Sequence, residues 1–210
     1  MFRLAIRFFI CSLLLAAAGC KTYESTLGEQ HETLCDIDSF APSLGKALYK
    51  AEVEITGHHL SGLLLFKTME DSTQRIAFLL ETGQSIFDFG FGPDGTFKVY
   101  YVQKKFNHKP VITALRKDFE LLLLQQHELF GQEHSYQFEG NRYTPYRRGD
   151  EKIWLVTDQS CTKLIKVLRS SKRKEMVELF RYPSDAATPD SVWINHKTFN
   201  FTIALKKLEQ

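Results

Sequence analysis

Few side chains in this sequence are arranged for catalysis. The seven histidines are scattered along the 210 residues, and there is no HExxH, GxSxG or P-loop motif and no cluster of carboxylates. The glycine-containing stretch at residues 88–95 leads into a strand-like segment, whereas a phosphate cradle needs a helix N-terminus behind it. The sequence therefore predicts no enzyme, no metal site and no cofactor, which leaves the four cysteines as the groups with reactive chemistry.

The chain begins with the pattern of a secretory signal peptide. Arg3 and Arg7 make the first residues basic without any acid, and residues 8–18 are almost wholly apolar. This apolar core is shorter than the ~20 residues that span a bilayer, so we expect the leader to be removed rather than retained. Residues 16–18 are alanines that satisfy the A-x-A rule, so one alternative is cleavage before Gly19.

A second cleavage site is indicated by Cys20, which directly follows this small-residue segment. Ala17-Ala18-Gly19-Cys20 resembles a bacterial lipobox, although the usual lipobox has leucine where this chain has Ala17. The resemblance implies a signal peptide at residues 1–19, cut before Cys20 once the cysteine sulfur carries diacylglycerol. Lys21, where aspartate would retain the protein at the inner membrane, implies sorting to the outer membrane. We therefore expect a palmitate-bearing lipoprotein of the bacterial envelope, anchored at the outer membrane and facing the periplasm.

The charges argue against nucleic acid as a partner. The whole chain carries 27 Lys+Arg and 25 Asp+Glu, and loss of Arg3 and Arg7 with the leader leaves the two signs balanced. A protein without net charge has no long-range field that attracts a polyanion. The remaining length suits one domain with its own core, and we expect a monomer that meets the membrane through its N-terminal lipid.

Two cysteines remain once the leader is removed and Cys20 is modified. Cys35 lies in a polar stretch, and Cys161 follows a strand-like segment. In an oxidising compartment two such thiols are often joined, and a bridge would fasten the N-terminal stretch to the sheet. Two unpaired thiols are the alternative, because the distance between them decides the outcome and the sequence does not give it.

The segment that follows Cys20 is polar. Residues 21–34 lack hydrophobic periodicity and are interpreted as a flexible tether, and Pro42 then breaks the chain before the first strand-like segment. We therefore divide the mature chain into a lipidated N-terminus and tether at residues 20–43 and a single half-barrel domain at residues 44–210.

Alternation of apolar and polar side chains predicts that this domain is mainly β. Every second residue from Ala47 to Ile55 is apolar, and similar segments recur between turn signals to the end of the chain. They predict about eleven antiparallel strands, five before residue 109 and six after residue 140. Residues 109–126 interrupt the strands with a helical stripe of apolar side chains, and Pro110 stands near the start, where a missing N–H is tolerated.

Several of these strands are apolar on both faces, as in the run Leu63-Leu64-Leu65-Phe66. Such strands must be covered on both faces or must line an apolar space. One helix cannot cover them all, so the sheet either closes on itself or surrounds an apolar ligand as a half-barrel. The residues expected to line the cavity or the lid are Phe66, Phe78, Phe89, Tyr101, Leu115, Phe119 and Leu122.

The order of these segments resembles the LolA/LolB lipoprotein-carrier superfamily. The shared features are the lipobox, five meandering strands, a helix at residues 109–126 and a last alternating strand within residues 189–209. The resemblance covers roughly residues 44–208 and implies a curved antiparallel sheet forming an incomplete barrel, with the helix as a lid over an apolar cavity. It also implies binding of an acyl chain or a lipoprotein and LolB-like transfer or localisation at the outer membrane. No motif carries over a role for a single residue.

A basic run occupies a predicted hairpin turn and includes Arg169, Lys172, Arg173 and Lys174. It is either a solvated turn whose charge discourages edge pairing, or a contact for anionic head groups or an acidic partner. The alternative hypothesis for the whole protein is a non-catalytic structural or assembly lipoprotein. Its interior would be filled by side chains, and it would dock a protein partner through this hairpin.

Overall fold

Antiparallel strands make up most of the described chain. The computed structural model describes residues 22–125, 128–129, 134–148, 151–183 and 187–209. The predicted signal peptide and the predicted lipidation at Cys20 lie outside these residues. Within them the sheet has fourteen strands. In chain order these are β1 (Glu29–His31), β2 (Lys46–Ile55), β3 (His58–Thr68), β4 (Gln74–Leu80), β5 (Ser85–Phe91), β6 (Phe97–Val102), β7 (Glu128–Leu129), β8 (Ser135–Phe138), β9 (Asn141–Arg148), β10 (Glu151–Thr157), β11 (Leu164–Ser170), β12 (Glu175–Tyr182), β13 (Ser191–His196) and β14 (Phe201–Lys207).

The strands form two meanders that meet in the middle of the sheet. The strand order is β1-β8-β9-β10-β11-β12-β13-β14-β2-β3-β4-β5-β6, with β7 paired to β9. The last strand, β14, pairs with β2, for example with Ile203 opposite Val53. In the described chain β1 and β6 are the two edges and do not pair with each other, so the curved sheet is not closed. The predicted incomplete antiparallel barrel is therefore confirmed.

The strand count is higher than the sequence predicts. The predicted strands correspond to β2–β6 and β9–β14. The three additional strands, β1, β7 and β8, have only three, two and four residues. Segments this short show no measurable alternation, so the sequence gives no signal for them.

The described chain has one α-helix, α1 (Lys109–Leu123), which confirms the predicted helix. Pro110 lies in its first turn, where no backbone hydrogen bond is lost. The helix ends because Leu124 adopts a left-handed conformation, with φ 52° and ψ 36°, and its N–H donates to the carbonyl of Glu120 at 3.2 Å. This end falls slightly before residue 126, the predicted limit.

The C-terminal half of α1 fills the concave face of the sheet. Phe119 is 1% exposed, and its ring centroid lies 6.5 Å from Phe66, 5.8 Å from Phe87 and 6.2 Å from Phe91. Burial of one such side chain stabilises the fold by ~1.5–3 kcal/mol. The first two turns of the helix are only partly buried or exposed. The two halves of the helix are therefore held to the sheet with different strength.

Residues 22–43 pack against the sheet, so the interpretation of residues 21–34 as a flexible tether is wrong for the described part. Tyr23 and Leu27 cover the outer face of β10 and β11, where the Tyr23 ring lies 5.6 Å from that of Trp154. The Tyr23 N–H donates to the carbonyl of Lys172 at 2.7 Å. The physical reason is that Trp154 and Leu168 make this outer face apolar, and it has to be shielded from water.

Cys35 and Cys161 form a disulfide between this N-terminal segment and the turn after β10, with Cα atoms 5.4 Å apart. The turn is organised by the Asp158 carboxylate, which accepts hydrogen bonds from the Ser160 hydroxyl at 2.5 Å and from the Lys163 N–H at 2.8 Å. These hydrogen bonds hold the pKa of Asp158 well below its usual value. The disulfide fastens the N-terminal stretch to the sheet, which is the first of the two alternatives that the sequence leaves open.

Candidate ligand-binding site

An apolar cavity of about 180 Å³ lies between the first half of α1 and the concave face of the sheet. Its sixteen lining residues come from strand ends, from the loop before α1, from α1 itself and from the β13–β14 hairpin, and all have carbon-only side chains. They are Val53, Ile55, Leu60, Phe78, Ile86, Phe87, Phe89, Val102, Phe106, Pro110, Val111, Ile112, Ala114, Leu115, Phe199 and Phe201.

The cavity lies at one end of the sheet, which we call the cavity end. The end of β2 and the start of β14 meet there, with Ile55 opposite Phe201. β3 begins at the same end, where Leu60 pairs with Val53, and β6 finishes there, where Val102 pairs with Phe87. Inward side chains on neighbouring strands thus converge on one apolar space.

The cavity exists because side chains fill the concave face under the C-terminal half of α1 but not under its first half. Towards the C-terminal end of α1, Phe119 and its aromatic neighbours occupy the concave face. At the cavity end the floor is aromatic, with Phe87 and Phe89 stacked at 4.5 Å between centroids. The helix above this floor carries the small side chain of Ala114 beside Leu115. The space that Ala114 leaves open is not filled by another side chain.

The size of the cavity limits what it holds in this conformation. A dry cavity of ~150 Å³ binds benzene, so the space here accommodates a chain segment of about six to eight carbons. A longer acyl chain requires the first turns of α1 to move away from the sheet.

The predicted lining residues fall into three groups. Phe78, Phe89 and Leu115 line the cavity. Phe66, Phe119 and Leu122 are buried in the core outside it. Tyr101 is 45% exposed and lies outside the cavity, so its assignment to the lining is wrong.

The exposure of Tyr101 has a cause in the register of the sheet. The β5–β6 pairing shifts between Asp88 and Phe89, which places Tyr101 opposite Asp88 rather than opposite an inward phenylalanine. Asp88 is on the outer face, where it pairs with Arg75. One extra residue in a strand exchanges the faces of the residues beyond it.

Most of the lining was not identified from the sequence. Val53 and Ile55 are in a predicted strand, and Val111 and Ile112 are in the predicted helical stripe, but nothing in their spacing shows which end of the helix lies over open space. Phe199 and Phe201 come from the β13–β14 hairpin, which reaches the cavity only through the pairing of β14 with β2.

A second concave site, the cationic groove, adjoins the apolar cavity. It has a volume of about 520 Å³ and shares Pro110, Ala114 and Phe199 with the cavity. Its polar lining is basic or neutral. The remaining lining residues are Lys109, Thr113, Lys117, Arg169, Met176, Val177, His196 and Thr198.

A cluster of charges adjoins this groove, with Asp118, Arg169 and His196 buried and Lys117 and Glu151 partly exposed. Asp118 is completely buried, and its Oδ2 is 2.8 Å from Nε2 of His196 in a hydrogen bond. Nη2 of Arg169 is 3.6 Å from Oδ1 of Asp118. Glu151 accepts a hydrogen bond of 2.7 Å from Nζ of Lys117 and lies 3.8 Å from Nε of Arg169. The cluster joins α1 to β10, β11 and β13.

This arrangement corrects the predicted role of Arg169. The sequence places it with the basic run at the hairpin tip, but its side chain is 10% exposed and points to the ion pairs under α1. Residue 169 is opposite Ile153 and Val177, both of which face the core. Only Lys172, Arg173 and Lys174 form the exposed tip between β11 and β12, which we call the basic hairpin.

Three solved structures are similar to this chain. They are a proposed outer membrane lipoprotein-sorting protein domain from Vibrio parahaemolyticus (TM-score 0.47, 9% identity, covering 82% of this chain and 87% of that one), a DUF1329 family protein from Desulfovibrio piger (0.46, 9%, 82% and 87%) and a LolA superfamily protein from Nitrosomonas europaea (0.47, 7%, 82% and 88%). No protein-family model matches the chain, and no curated protein matches it.

Two further properties of the described residues bear on the site. No helix among them is long and apolar enough to cross a bilayer. Nor do three or more His, Cys, Asp or Glu side chains come together, in the part of the chain that the structure describes, in a group able to hold a metal ion.

Proposed function

We propose that this protein binds an acyl chain, carried by a lipid or a lipoprotein, in the apolar cavity and transfers it at the outer membrane without covalent chemistry. The observation that supports this function most directly is the cavity lining, which consists of carbon-only side chains. A dry cavity of this kind favours an apolar guest. An acyl chain offers no directional bonds, so its recognition needs apolar area rather than a polar motif.

The two halves of α1 suit a lid that opens at one end. The C-terminal half is fixed by Phe119 in the core and by Asp118 in the buried ion cluster. The first half covers the cavity with partly buried residues, among them Val111, Ile112 and Leu115. Movement of the first turns would therefore enlarge the cavity without disturbing the aromatic core.

The test of this function is a substitution that fills the cavity. Val53 lines it from β2, and the phenylalanine ring in Val53→Phe would take up most of a space that holds about one benzene-sized guest. The protein starting at Lys21, without the anchor, is expected to bind palmitate in native mass spectrometry. We expect Val53→Phe to weaken this binding by about tenfold or more.

The control is Leu63→Phe, which introduces the same ring at an exposed position on β3 opposite the exposed Lys50. It is expected to bind palmitate as the wild type does. Equal binding by Val53→Phe would show that the chain binds elsewhere. Absence of palmitate from the wild type would reject the carrier function and favour the structural or assembly lipoprotein with a closed interior.

We also propose that Cys20 carries the lipid anchor and that the anchor holds the cavity end near the membrane. The Tyr23 N–H donates to the carbonyl of Lys172, so the described chain begins beside the basic hairpin. Tyr23 is three residues after the proposed anchor, and three residues span at most about 11 Å. β12 begins next to the basic hairpin, and its Val177 pairs with His196 at the end of β13, just before the β13–β14 hairpin. The basic hairpin, the start of the N-terminal segment at Tyr23 and the cavity are therefore at the same end of the sheet.

In this orientation the basic hairpin contacts anionic head groups. A basic residue near a charged membrane contributes ~1 kcal/mol, so Lys172→Glu with Lys174→Glu is expected to weaken binding of the anchorless protein to phosphatidylglycerol vesicles by about 30-fold. In cells the full chain should incorporate labelled palmitate, and Cys20→Ser should remove the label. Unlabelled wild type would exclude the anchor, and unchanged vesicle binding would exclude the hairpin contact.

A further inference from the structure

The cationic groove lies where the head of a ligand in the apolar cavity would emerge. The two sites share Pro110, Ala114 and Phe199, so a molecule that occupies both passes the first turns of α1. The cavity lining is apolar throughout, whereas the groove presents basic, imidazole and hydroxyl groups. Such a pair of sites fits a ligand with an apolar chain and a polar head.

The charges of the groove specify the sign of that head. Lys109, Lys117 and Arg169 line it, and no carboxylate of the described chain does so. Asp118 and Glu151, the acids that pair with Arg169 and Lys117, are outside the lining, and Glu151 is partly exposed. Lys109 has no ion-pair partner among the described residues. The accessible surface of the groove is therefore cationic.

Arg169 adds an observation that does not depend on the surface lysines. The residue is 8% exposed, and its Nη1 is buried without a hydrogen-bond partner within the described ranges. It forms ion pairs with Asp118 at 3.6 Å and with Glu151 at 3.8 Å, but both distances exceed that of a hydrogen bond, and Oδ1 of Asp118 also lacks a hydrogen-bond partner among the described residues. A buried cation in this state gains free energy from an anion placed nearby.

The N-terminus of α1 also favours an anion in the groove. Lys109 and Pro110 are the first residues of the helix, and the N-cap residue His108 makes no side-chain capping hydrogen bond. The N-terminus of a helix carries a partial positive charge and unbonded N–H groups, both of which favour an anion. This end of α1 borders the groove through Lys109 and Pro110.

We propose that the cationic groove binds the anionic head, a phosphate or a carboxylate, of an amphiphile whose chain occupies the apolar cavity. This inference rests on the proposed function. It narrows the class of ligand from acyl chains in general to amphiphiles with an anionic head. Arg169 forms the fixed part of the site, and Lys109, Lys117 and the N-terminus of α1 contact the head from the rim.

The test uses amphiphiles with the same chain and different heads. Dodecyl phosphate, dodecanoate, 1-dodecanol and inorganic phosphate are titrated into the anchorless protein, and their dissociation constants are measured by displacement of a fluorescent apolar probe and, for inorganic phosphate, by calorimetry. At least one of the two anionic amphiphiles is expected to bind about tenfold more tightly than dodecanol, the effect of one charge-assisted hydrogen bond. The ratio between phosphate and carboxylate identifies the preferred head.

The variant is Lys109→Gln with Lys117→Gln, and the matched control is Lys206→Gln at the opposite end of β14. We expect the double variant to bind the anionic amphiphiles only about threefold or less more tightly than dodecanol, with dodecanol itself unchanged. Equal binding of all three amphiphiles by the wild type would overturn the head-group site but leave the cavity function standing. Failure of dodecanol and both anions to bind would reject the cavity function itself. If the protein binds inorganic phosphate but none of the three amphiphiles, the anion site is not connected to the cavity, and this result would also overturn the inference.

Discussion

Replacement of both Cys35 and Cys161 by serine is expected to lower the free energy of unfolding by about 5 kcal/mol. The disulfide closes a loop with a sequence separation of 126 residues, and a cross-link of this span strongly restricts the unfolded chain. The backbone carbonyl of Cys35 accepts a hydrogen bond from the Tyr146 hydroxyl at 2.5 Å, and this contact is available to serine as well, so the expected loss comes from the cross-link itself. Urea unfolding of the anchorless protein measures the loss.

Reduction of the wild type provides the matched control. The protein that starts at Lys21 contains no cysteines besides Cys35 and Cys161, so dithiothreitol acts on this bridge alone. Reduced wild type and the double serine variant should unfold at the same urea concentration, well below that of the oxidised protein. Identical midpoints for oxidised and reduced protein would show that the bridge does not stabilise the fold.

Periodicity was sufficient to predict the main elements. The alternation in β2, with Ala47, Tyr49 and Ala51 buried, and the stripe on α1 ending at Phe119 both follow from residues close together in the chain. The N-terminal segment was misinterpreted for the opposite reason. Tyr23 and Leu27 are isolated in a polar stretch, and their partner Trp154 is more than a hundred residues away.

The N-terminal cover also bears on where a cavity forms. Apolar residues on both faces of a strand predict an enclosed ligand or a closed sheet. For β10 and β11 the outer face is instead covered by residues of the N-terminal segment. The cavity arises elsewhere, under the first half of α1, where Ala114 and Val111 leave space above Phe87 and Phe89. Which apolar face is covered by protein, and which is left open, depends on tertiary contacts.

The buried ion cluster was missed because its members are dispersed in sequence. The sequence contains no local pattern that points to an ion cluster around Asp118, Arg169 or His196. Only the packing of α1 on β11 and β13 brings these three residues together. Arg169 was grouped with the basic hairpin because it is adjacent in sequence. On a strand, however, its side chain faces the core.

Substitution of Asp118 by alanine is expected to destabilise the protein by ~3–5 kcal/mol, the cost of leaving a buried charge without its partner. Asp118 is fully buried, bonded to His196 at 2.8 Å and paired with Arg169 at 3.6 Å. Without it, Arg169 keeps only Glu151, at 3.8 Å. The exposed Asp190→Ala variant is the control and should unfold within ~0.5 kcal/mol of the wild type.

A second substitution distinguishes charge from packing as the cause. If the uncompensated Arg169 is responsible, Asp118→Leu combined with Arg169→Met should recover most of the stability that Asp118→Ala loses, because an apolar replacement of a buried ion pair is often neutral. An equally unstable double variant would show that Asp118 acts through the position of α1 instead. Recovery would show that apolar residues at these two positions stabilise the fold as well as the ion pair does. The ion pair would then be kept for another reason, and binding of the anionic head by Arg169 in the adjoining groove is the reason that we propose.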